Sequence, residues 1–78
     1  MQQIEPQASR AETVTAALLY LMTHYARTGC PRLAVCIARH MQYLSAHPDA
    51  APVVREICIS LERTWVSRAG PPPRANVH

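Results

Sequence analysis

Between two stretches of helical periodicity stands Gly29-Cys30-Pro31, and this tripeptide leaves the chain little freedom in how the two stretches meet. Glycine ends a helix at low cost in the left-handed conformation, and proline suits the first turn of the next because its missing N–H would have had no partner there. So short a link makes the flanking helices antiparallel neighbours. Before it, Ala11, Val14, Leu18, Leu21, Met22 and Tyr25 recur at steps of three and four, and Ser9 followed by Glu12 matches a capping box. The first helix is therefore expected at about 10–27. After it, Leu33, Ile37, Met41 and Leu44 mark the inward face of a second helix at about 31–46, halted by "HPDA". Asp49 as cap and Pro52 in the first turn open a third at about 50–68, with Val54, Ile57, Cys58, Leu61 and Trp65 turned inward and Gly70 as its stop.

These elements define an all-α chain, a small three-helix bundle over residues 10–69. Residues 1–9 are expected to be an N-terminal extension, and 70–78, ending in "PPPRANVH", a flexible, disordered proline-rich tail. Of the 78 residues 12 are alanine, so the apolar fraction of 49% overstates the supply of large core side chains. A chain of this size with a thin core gains from a second subunit, which favours homo-oligomerisation.

All eight basic residues are arginine, the bias of a GC-rich and most often bacterial coding sequence. Three cysteines make an odd count, and "MQQIEPQASR" has no basic segment leading into an apolar run, so the reading is a cytoplasmic protein without a secretory signal. "AALLYLM", the longest apolar run, falls far short of the ~20 residues that span a bilayer. No membrane association is expected.

The second helix carries "CPRLAVCIARHMQYLSAH", in which Cys36, His40, Tyr43 and His47 share one ridge. Cys36 and His47 stand ~16 Å apart along the axis, so the ridge cannot converge on one ion. Only Cys36 and His40, four residues apart, could chelate together. Further ligands would have to come from His24 or Cys30, in a spacing that matches no compact zinc motif, so no metal and no cofactor is expected. At the cap position before Pro31 and beside Arg32, Cys30 is the candidate reactive thiol, since unpaired N–H groups and the helix dipole favour a thiolate there. Cys58 reads as core.

No catalytic constellation is present. The five carboxylates form no inward pair, two glycines cannot build a phosphate cradle, and a thin three-helix core seldom encloses a substrate pocket. Residues 13–48 hold no acid, and Arg32 and Arg39 project from one side of the second helix, where they could meet phosphates of a nucleic acid. Two arginines make a weak footprint, and the outward residues Val35, Ala38, Gln42 and Ala46 offer only Gln42 to read a base. Nucleic-acid binding is therefore the alternative. The leading reading rests on apolar residues that point away from the core: Ile59 and Val66, seven apart on the third helix, and Tyr20 on the first. They point to a protein partner or a second copy of the chain.

Overall fold

The protein is described over residues 9–70 by a computed structural model, and this region is all-α. Three helices follow one another: α1 (Arg10–Thr28), α2 (Pro31–Ala46) and α3 (Pro52–Ala69). The expected N-terminal extension, apart from Ser9, and the proline-rich tail beyond Gly70 lie outside the described residues.

Helix α1 begins with the capping box read from the sequence. The Glu12 N–H donates to Ser9 Oγ at 3.0 Å, and the Ser9 N–H donates to Glu12 Oε1 at 3.2 Å, so two otherwise unpaired donors are satisfied. It ends at Gly29, whose φ of 66° is open to glycine without steric penalty and whose N–H donates to the Tyr25 carbonyl at 2.7 Å. Pro31 then opens α2.

The start of α3 differs from the expectation. Ala51, without a side-chain cap bond, precedes Pro52, while the Asp49 N–H donates to Nδ1 of His47 at 3.1 Å. Asp49 therefore belongs to the turn and not to the helix. Arg55 fastens this corner from the first turn of α3, its Nη1 donating to the carbonyl of Ala50 at 2.7 Å.

Helix α2 is the middle of the molecule, supplying five of the nine buried residues: Ala34, Ile37, Ala38, Met41 and Leu44. On one flank it meets α1, where Val14 adjoins His40 and Tyr43. On the other, Gln42 Nε2 donates to Glu62 of α3 at 2.9 Å. Ala38 and Ala34 lie on the Gln42 side, one and two turns back, so Ala38 is buried where the sequence pattern placed it outward. Its methyl group faces the α2–α3 seam, and small side chains allow two helices to approach closely.

Two reversals make α1 and α3 run in the same direction, yet no Cα of α1 comes within 8 Å of one of α3. Side chains span the gap, as where Tyr25 sits edge-on to Trp65 with centroids 5.1 Å apart. The inward face of α3 is consequently narrower than expected. Cys58 is buried and Val54 and Trp65 half-buried, but Ile57 is 51% exposed and Leu61 is exposed as well. Both belong to the flank that α1 would have covered in a closed bundle.

Candidate interaction surfaces

Ile59 and Val66 occupy the flank of α3 that turns away from α1. They are 61% and 47% exposed and, with Glu62 and Arg63, line a depression of about 390 Å³ formed entirely by α3. Tyr20 does not join them. It stands 70% exposed on α1, stacked on His24 at 6.0 Å, and points away from the core.

The ridge of α2 stays dispersed. Nδ1 of His40 lies 2.6 Å from the Cys36 carbonyl, and because that oxygen can only accept, Nδ1 is the protonated nitrogen. His47 is tilted against Tyr43 at 4.9 Å and takes the Asp49 N–H. Among the described residues, no three His, Cys, Asp or Glu side chains gather where one ion could be held. Cys30 is half-buried at the cap of α2 without a side-chain cap bond, its own N–H donating to Thr28 Oγ1 at 3.2 Å. Arg32 and Arg39 are both exposed on the same side of α2, as their spacing requires.

Burial pushes the Cys58 thiol above its ordinary value. An unfolded chain ionises this thiol first, so between the two values the unfolded state binds fewer protons and stability falls as pH rises. Urea midpoints compared at about pH 7.5 and about pH 9.5 are expected to drop further for the wild type than for a Cys58→Val variant. Equal drops would remove Cys58 as a source of alkaline sensitivity.

The sequence pattern missed a second feature. Between the N-terminal halves of α1 and α3 runs a groove of about 460 Å³, lined by Ala11, Thr15, Leu19, Ala50 and Val54 and edged by Glu12 and Asp49. Ile57 and Leu61, both exposed, lie three and seven residues beyond Val54 and so on the same side of α3. Periodicity within one helix carries no information about two helices that leave a gap between them.

Comparison with family models, with curated protein sequences and with solved structures returned no match. Among the described residues no helix is long and apolar enough to cross a membrane.

Proposed function

We propose that the chain is a small protein–protein interaction module of a bacterial cytoplasm, forming a homo-oligomer or docking a partner protein, with α3 as its working surface. One observation carries this: α3 buries a single residue, Cys58, and leaves Val53, Ile57, Ile59, Leu61 and Val66 exposed. A helix in a self-sufficient domain hides its large apolar residues and shows polar ones. Ile59 and Val66, flanking their depression, are the anchors on the flank away from α1. Nucleic-acid binding through Arg32 and Arg39 has less behind it, because two exposed arginines neutralise few phosphates.

The test is an Ile59→Glu, Val66→Glu variant compared with wild type by light scattering and by co-purification from the native cell. Loss of a defined partner or of an assembly state is expected, with helix content unchanged. A wild type that is both monomeric and alone would remove the reading, and an indifferent double variant would remove this flank from it.

A further inference from the structure

We propose that the open face between α1 and α3 is a homodimer interface, on which a second copy docks with its helices antiparallel to the first. The inference rests on the reading of α3 as an interaction helix and names the occupant of its other flank.

The single copy is poorly balanced. Only Ile37 and Leu44 are fully buried large side chains, whereas nine large apolar side chains are exposed among the described residues. Of the nine, Leu19, 64% exposed, lines the groove on its α1 wall, and Ile57 and Leu61 stand three and seven residues beyond the groove-lining Val54, on its side of α3. A chain this small gains disproportionately when such a surface is covered by another subunit.

Charge identifies the occupant and its direction. Because α1 and α3 run the same way, Glu12 and Asp49 edge the face at one end. At the other end stand Arg27 and Arg68, each in the last turn of its helix. Arg68 is held over the ring of Trp65, its Cζ 6.0 Å from the centroid. Leu19 lies midway between Glu12 and Arg27 along α1, and Ile57 and Leu61 lie midway between Asp49 and Arg68 along the corner and α3.

Two copies of one face meet through a two-fold axis lying in the plane between them. With that axis across the helices, α1 meets α1 and α3 meets α3 in opposite directions. Glu12 then faces Arg27 of the second copy, Asp49 faces Arg68, and the apolar residues meet at the centre. With the axis along the helices, Glu12 would face Asp49 and Arg27 would face Arg68, like charge on like charge, an arrangement that opposes binding. The antiparallel dimer is the one in which charge and apolar pattern agree.

The experiment uses Arg68→Glu and Asp49→Arg as separate full-length variants, each checked for helix content by circular dichroism. Wild type is expected to sediment as a dimer. Each variant alone sets like charges together twice in its own homodimer, so its dissociation constant is expected to rise about tenfold or more. Mixed in equal amounts, the two are expected to regain near wild-type affinity, because the mixed dimer pairs opposite charges at both ends. A monomeric wild type would overturn the dimer, as would a dimer that neither variant weakens or a mixture that fails to recover. If the dimer ignores both changes but is lost in the Ile59→Glu, Val66→Glu variant, α3 remains an interaction helix and only this face is wrong. A monomer that still captures a protein through Ile59 and Val66 likewise leaves the module reading standing.

Discussion

An Ile37→Ala variant is expected to be largely unfolded at room temperature. Ile37 has no exposed surface and stands in the one core cluster, which also contains Leu18, Met41, Leu44 and Cys58. Cutting isoleucine back to alanine in such a site costs about 2–5 kcal/mol, from lost transfer energy and the cavity left behind. A single core in a chain of this length seldom supplies more than about 3–5 kcal/mol, so the loss approaches the whole. Relief is limited, because the neighbours able to collapse inward include Ala11 and Ala50, which have no rotamers to adjust. Far-UV circular dichroism with a urea titration gives the answer. A cooperative transition within about 1 kcal/mol of wild type would mean that the centre of α2 is not the centre of stability.

The second large effect is expected at Ala38, where sequence pattern and structure disagree. Placed outward, Ala38→Asp would cost little beyond helix propensity. Buried at 5% exposure in the α2–α3 seam, it is expected to cost about 3 kcal/mol or more, since a short carboxylate there cannot reach water. Ala46→Asp is the control. It sits exposed at the end of the same helix, and propensity and dipole together should cost about 1 kcal/mol. Equal midpoints for the two variants in urea would put Ala38 back on the surface and separate α2 from α3 along that seam.

What the sequence made legible was chiefly local. Ser9, Glu12, Gly29 and Pro31 act within a few residues of themselves, and each sits where its chemistry predicts. The inward stripe of α2 was legible because that helix touches neighbours on both flanks, as a periodic pattern assumes. Ala38 was not, since alanine is equally at home against water and against a close neighbour. The third helix was centred one flank too far round. Its stripe was drawn for a closed bundle, whereas α3 packs its backbone against α2 alone and leaves Ile57 and Leu61 uncovered. Among the candidate surfaces, the exposure of Ile59 and Val66 followed from their place away from the inward residues of α3, and their adjacency from their seven-residue spacing. The groove beside Leu19 had no such signal, because it is a property of the distance between helices.

That distance also shapes how the molecule assembles. Every close approach between helix backbones joins elements consecutive in the chain, across links of two and five residues. Contact order is low, loop closure costs little entropy, and nothing in the topology slows the search for the native state. The same arrangement divides the molecule into layers of unequal security. Lifting α1 away breaks its seam with α2 and the Tyr25–Trp65 contact but leaves the α2–α3 pair whole, with Ala34 and Ala38 still in place. Such an opening bares Leu18 and Met41 and adds them to the apolar surface that Ile57 and Leu61 already expose. The least costly partial unfolding of this chain therefore enlarges its sticky surface, and a subunit seated across α1 and α3 would act as the clasp that keeps the first helix down.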